Sequence, residues 1–224
     1  MSTVTFSIPL TPPEVLAKRH AILVTIGFLI LLPIGALIPR YTRTFTPAWF
    51  PAHFAIQLFL SGPIIFAGWY YGYQTSDILQ LGHFYDPHQK MGLTLLILYC
   101  VQLALGLFTH FIKLRSPFGP GTRAPQNYFH VFLGLVILVL AAEQVHYGLY
   151  IEWETNLAGL HNIPMSAKHA WIALIVIFWV LYLVGLALVP RQFTQERNSR
   201  HGGHDTPTKS EQIGLRDSNG QSGV

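Results

Sequence analysis

The chain has 224 residues, 51% of them hydrophobic and 11% charged, with a formal net charge of +4. So little charge beside so much apolar surface excludes an ordinary soluble domain and marks a membrane protein. The lone cysteine, Cys100, rules out a disulfide framework and a thiolate metal cluster, and no basic groove interleaved with aromatics points to nucleic acid.

The first 18 residues contain prolines but neither a basic start nor an apolar core of signal-peptide length, so no cleaved leader is expected and the first helix does its own targeting. Five apolar stretches follow, at about 19–39, 50–73, 87–111, 127–150 and 168–189. Each reaches the roughly 20 helical residues that cross about 30 Å of hydrocarbon. Pro33 and Pro63 fall inside the first two and read as kinks, tolerated in bundled membrane helices. Asp86 and Pro87 read as the N-cap and first-turn proline of the third helix. The connections are short, so sequential helices should be antiparallel neighbours. No internal repeat stands out beyond this alternation.

The fold class expected is therefore an all-α integral membrane protein of five transmembrane helices, four of them forming a bundle. Residues 1–18 make an N-terminal segment, 19–150 the four-helix core, and 151–190 a loop and the fifth helix. The tail at 191–224 is rich in Gly, Ser, Asn and charge, and is expected to be disordered.

Basic residues set the orientation. Lys18, Arg19, Lys90 and Lys168 share the N-terminal side with Asp77, Asp86, Glu152 and Glu154, whereas Arg40, Arg43, Lys113, Arg115, Arg123 and Arg191 lie opposite. The positive-inside rule makes the arginine-rich side cytoplasmic and puts the N-terminus outside. The membrane lipid is then the first partner, with the plasma membrane or a secretory or vesicular membrane as the setting.

Of eleven histidines, four share one position: His20, His53, His88 and His130 each stand near the start of the first, second, third and fourth helix. Alternating helix direction puts His20 and His88 on the outer side and His53 and His130 on the inner. Across the diagonals of a four-helix bundle, two inward-pointing imidazole pairs result, one per face. Neutral imidazoles from facing helices suit the two axial positions of a haem iron that transfers electrons without binding substrate. With no Cys-x-x-Cys-His run, the haem would be non-covalent.

Gly92 and Gly134 follow His88 and His130 by four residues, on the same helix face, where the missing side chain would admit a macrocycle. Gly27 stands on the His20 face in the same way. Gln57 takes the corresponding place after His53 and can bond a ligand, a propionate or another helix. His110 shares a face with His88 and is an alternative inner ligand, while His83, His161 and His169 read as solvated outer-side residues, His146 sits near the outer end of the fourth helix, and His201 and His204 belong to the tail. Glu143, Gln102 and Gln144 lie within spans and read first as interhelical hydrogen bonds. The cluster Arg40, Arg43, Lys113, Arg115 and Arg123 can satisfy propionates or attract an anionic reductant.

The runs "HAILVTIGFLILLPIGALIPRY", "HFAIQ", "HQKMGL" with "QLALGL", and "HVFLGL" resemble, in order and spacing, the helix motifs of the cytochrome b561 domain, above all the DOMON-linked type. The likeness covers about 20–150 well and the fifth helix loosely. It implies two non-covalent b haems, an outer one on His20 and His88 and a cytoplasmic one on His53 and His130. It further implies electron transfer from a cytosolic donor such as ascorbate to an outer acceptor, monodehydroascorbate or a ferric chelate. Two departures stand out: Leu135 follows Gly134 where related proteins often carry arginine, and no DOMON domain precedes the core, so a DOMON-type redox partner would be a separate protein.

Three functions compete on these residues. The first is a two-haem transmembrane oxidoreductase, reductase-like toward ferric iron or monodehydroascorbate, able to act as a homodimer. The second is a haem-bearing anchor for a separate small-molecule or protein redox partner. The third is a histidine-lined metal or proton transporter, for which the sequence lacks an intramembrane carboxylate network.

Overall fold

A computed structural model describes residues 8–112, 116–117, 122–157 and 161–202, the side chains of 199–202 excepted. Five long helices dominate: α1 (Pro12–Thr42), α2 (Trp49–Leu79), α3 (Pro87–Phe111), α4 (Pro125–Asn156) and α5 (Met165–Gly185). All five are long and apolar enough to cross a membrane. Among the described residues there is no strand. The helices run beyond the apolar stretches, because polar first and last turns such as Pro12–Arg19 and Gln74–Leu79 can remain helical outside the hydrocarbon.

Pro33 and Pro63 do not interrupt their helices. Wider π turns at Ile26–Leu31 and Ile56–Leu60 end two and three positions before them and take up the misfit that a proline ring creates against the preceding turn. The Ser61 hydroxyl bonds the Ile56 carbonyl at 2.9 Å, satisfying a backbone group beside the second of these turns. At the start of α3 the Asp86 carboxylate accepts from the Gln89 backbone N–H at 2.8 Å, the cap that stops the preceding loop.

α1 packs along α2 and α3 along α4, each as an antiparallel pair. Small residues bring the backbones close. A Cβ on Gly68 would stand 3.0 Å from the Val24 nitrogen, and one on Gly27 would meet Ile65 at 2.5 Å. Gly27 therefore serves α1–α2 packing and not room beside His20. Phe28, Ile65, Leu95, Tyr99 and Ile137 fill the middle of the bundle. Outward-facing Phe132, Leu183 and Phe59 stay exposed, as expected where lipid is the solvent.

α5 joins the outside of the bundle against α1 and α4, where Trp171 donates to the Ala142 carbonyl at 3.0 Å and Tyr182 receives Arg40 at 2.6 Å. A 3-10 turn, Leu186–Leu188, leads from it into α6 (Val189–Gly202). This corrects the expectation of a tail without structure from 191 onward. Gln192 is buried and donates to the Arg40 carbonyl at 2.7 Å, while Glu196 pairs with Arg123 and Arg43. Tertiary bonds thus hold a segment too polar to build a core of its own. Residues 203–224, the remainder of that expectation, lie outside the described residues.

Candidate haem site

His20 of α1 and His88 of α3 meet at one end of the bundle with ring centroids 6.0 Å apart and planes at 79°. His53 of α2 and His130 of α4 meet at the other end, 6.3 Å apart at 77°. Neither pair joins neighbours along an antiparallel hairpin: each crosses from one hairpin to the other. The His20 Nδ1–H donates to the Gly68 carbonyl at 2.8 Å, and the His53 Nδ1–H donates to the Gly35 carbonyl at 2.7 Å. The two bonds are reciprocal, each histidine of the α1–α2 hairpin reaching a glycine fifteen positions after the other histidine. With the proton held on Nδ1, each ring keeps its Nε2 lone pair for a metal.

On α3 and α4 glutamines take the corresponding place. Gln144 donates to the His88 carbonyl at 2.7 Å with its amide nitrogen 3.0 Å from His88 Nδ1, and Gln102 donates to the His130 carbonyl at 2.8 Å. Gly148 and Gly106 face these rings, since a Cβ on either would stand 3.1 Å from the histidine Cε1. A Cβ on Gly134 would meet the Gln102 amide at 2.9 Å, and one on Gly92 the Gln144 amide at 3.4 Å. Gly92 and Gly134 thus make room for a glutamine of the neighbouring helix. Gln57 bonds the Leu32 carbonyl at 3.3 Å and fills the space over Gly35.

A bis-imidazole haem fits this donor set. Two metal–imidazole bonds of about 2 Å each and two ring radii come to about 6 Å, close to both centroid separations. At the His53–His130 end a cavity of about 310 Å³ opens between the helices, lined by both rings with Gln57, Gln102, Gly106 and Arg123. Gln57 Oε1, Gln102 Oε1 and His130 Nδ1 are buried there without a hydrogen-bond partner among the described residues. Such orphaned polar atoms are costly in an apolar interior and mark a site whose chemistry is incomplete as protein alone.

The family model for eukaryotic cytochrome b561 matches residues 19–155, the stretch that carries all four histidines. The chain belongs to this family. Membership implies a b-type haem, consistent with the fit of the imidazole pairs. Among curated relatives, a cytochrome b561 and DOMON domain-containing protein of Arabidopsis thaliana is 28% identical over 198 residues, which is 84% of this chain and 45% of its own length. A second such Arabidopsis protein is 27% identical over 146 residues, 64% of this chain and 37% of its own. The lysosomal membrane ascorbate-dependent ferrireductase of Bos taurus is 25% identical over 173 residues, 73% of this chain and 64% of its own. The chain spans less than half the length of these two plant relatives. No solved structure matches it.

The other candidate residues of this cytochrome b561-family chain fall around the two pairs. His110 stacks on Phe50 at 3.4 Å and lines the cavity, but His53 and not His110 faces His130. Arg40, Arg43 and Arg123 also line the cavity, whereas Lys113 and Arg115 lie outside the described residues. Glu143 is exposed, with its carboxylate 3.4 Å from His146. His83, expected in solvent, is stacked on Tyr73 at 3.8 Å and bonded to Asp77 at 2.8 Å. His169 is exposed; His201 falls in the terminal turn of α6, and His204 lies outside the described residues.

His161 also departs from its expected solvated state. It bonds Glu14 at 2.8 Å and the Ile8 carbonyl at 3.0 Å, tying the start of α1 to the α4–α5 loop. The Glu14 carboxylate beside it raises the His161 pKa above its ordinary range. Glu14 itself is fully buried and accepts from the Thr11 backbone at 2.7 Å. The Thr-Pro-Pro-Glu spacing of a capping box was the available sequence signal for this role.

The glutamines were the larger omission, and their signal is a repeat. His88, Gly92, Gln102 and Gly106 stand at offsets 0, 4, 14 and 18, and so do His130, Gly134, Gln144 and Gly148. Antiparallel packing turns that repeat into reciprocal contacts, each histidine meeting the glutamine and the second glycine of the other set.

Proposed function

We propose that the chain carries electrons across a membrane through two b-type haems, one held by His20 and His88 and the other by His53 and His130. The observation that carries this reading is the pair of cross-bundle imidazole contacts at opposite ends of one bundle, with centroids 6.0 and 6.3 Å apart. A bound haem supplies reversible one-electron chemistry at iron. The protein's share is to offer neutral imidazoles, hold their protons on Nδ1 and keep water from the middle of the bundle. The glycine carbonyls on Gly68 and Gly35 serve the first two tasks. Phe28, Ile65, Leu95, Tyr99 and Ile137 serve the third.

Arginine asymmetry supports an N-terminus outside and a cytoplasmic His53–His130 end, in a plasma or secretory or vesicular membrane. Electrons then flow from a cytoplasmic reductant to an outer acceptor of the ferric-chelate or monodehydroascorbate class. The ascorbate-dependent ferrireductase among the relatives supports ascorbate as the class of donor and ferric iron as the class of acceptor. The DOMON-containing relatives favour a second role, delivery to or from a separate DOMON-type protein docked on the outer face.

The test is a reduced-minus-oxidised spectrum of the purified chain with haem quantitation, then proteoliposomes holding ascorbate inside and ferricyanide outside. Two b-type haems per chain and transmembrane reduction are expected. A chain without a b-type signal would sink both readings; haem without reduction of any small acceptor would leave the docked-partner role.

A further inference from the structure

α3 and α4 hold their histidines differently from α1 and α2, and the difference assigns a role to two residues outside the proposed ligand set. His20 and His53 are fixed through backbone carbonyls, which no substitution at the accepting position can remove. His88 and His130 instead lie against side-chain amides, so their orientation depends on side-chain identity. Each glutamine is anchored first to the histidine's own carbonyl, at 2.7 Å for Gln144 and 2.8 Å for Gln102. The same amide nitrogen is the atom that meets the ring, 3.0 Å from His88 Nδ1 for Gln144 and 3.5 Å from His130 Nε2 for Gln102. At the His130 end the consequence is visible: Gln102 Oε1 lacks a donor, and His130 Nδ1 lacks a partner. Both atoms are buried, on two side chains that touch.

We propose that Gln102 and Gln144 are positioning residues for His130 and His88. Each carboxamide donates to the histidine's backbone carbonyl and lies with the same nitrogen against its ring, so that one side chain holds both the backbone and the imidazole of the histidine. This rests on the two-haem reading above. The surrounding glycines belong to the same device. Gly134 and Gly92 leave space for the carboxamides, and Gly106 and Gly148 leave space for the rings they hold. The repeated spacing places one such device at each end, so the two glutamines act on different haems. A hydrogen-bonded neighbour fixes the orientation of a metal-binding imidazole, and removing such a partner commonly costs about 10- to 100-fold in affinity.

Gln144→Met and Gln102→Met keep the length of the side chain and remove the amide that bonds the histidine carbonyl and meets the ring. Redox titration and low-spin EPR of each purified full-length variant read the two haems separately. Gln144→Met is expected to shift the midpoint and EPR signal of the His20–His88 haem alone, and to weaken haem retention there about tenfold or more. Gln102→Met is expected to do the same at the His53–His130 haem alone. Shifts in both haems of each variant, or in neither, overturn the proposal. If a methionine variant loses both haems, the corresponding glutamate variant decides, because its carboxyl keeps the shape of the amide and replaces the nitrogen that bonds the histidine carbonyl. One shifted midpoint then supports the assignment, and wild-type midpoints or a second loss of both haems overturn it. A wild-type chain without two haem components overturns the two-haem reading instead, so the two failures are distinguishable.

Discussion

The two ends of the bundle present the same imidazole geometry in opposite surroundings. At the N-terminal end, His20 and His88 lie beneath a rim that includes Glu14, His161, Asp77 and His83, where acids and imidazoles pair with one another. At the other end, His53 and His130 line a cavity shared with Arg40, Arg43 and Arg123, and Glu196 of α6 pairs with two of those arginines. The contrast teaches that the helix hairpins set the two histidine pairs, while the helix ends and connections set what each pair meets. A nearly symmetric core thereby acquires a direction.

The largest expected effect tests the symmetric part. On the proposed two-haem reading, His88→Ala and His130→Ala should each remove about half of the bound haem, since each deletes one imidazole of a different pair. Haem quantitation with EPR checks this, and loss of the same component in both variants would break the assignment of one pair to each end. Next comes the hairpin that holds His20. Gly68→Ala puts a methyl 3.0 Å from the Val24 backbone nitrogen and Leu23 Cβ, where little can yield. A loss of about 1–3 kcal/mol is expected from overpacking, read as a lowered melting temperature in detergent.

A smaller effect separates the ends. Glu196→Gln should release α6 from Arg123, whose bidentate bonds are 2.5 and 2.6 Å long, at a cost of about 1–2 kcal/mol for a partly solvated charge-assisted pair. Faster hydrogen exchange in α6 with none at the N-terminal end would sharpen the contrast; equal exchange at both ends would break it. The smallest effect is on pH. Because Glu14 raises the His161 pKa above its usual value of 6.5, protonated His161 contributes its stabilisation fully below pH 6.5 and loses it as pH rises through the raised value. Hydrogen exchange at the start of α1 should therefore accelerate with pH beyond the intrinsic base-catalysed rate, and Glu14→Gln should flatten the excess.

Much of this architecture is legible in one dimension because its signals are local. Apolar length identifies five spans, Asp86 with Pro87 announces the start of α3, and the shared position of four histidines at helix starts needs only alternating direction to become two pairs. Partnerships between side chains far apart in sequence are less legible. Gln144 reads as a generic polar residue until antiparallel packing sets it against His88 fifty-six positions away. Gly27 reads as space for a macrocycle until Ile65 occupies that space.

Hydropathy and helical spacing, taken alone, determine the class, the number of spans and the level of each imidazole along the membrane normal. They do so because water exclusion and a 1.5 Å rise act on every residue independently of the rest of the chain. The tertiary structure alone decides that a glycine carbonyl holds one histidine of each pair and a glutamine lies against the other. It also decides that α6 is held over the cavity by Glu196 and Gln192. Those outcomes depend on which helix faces which at close range, a choice made by the summed packing of the whole bundle.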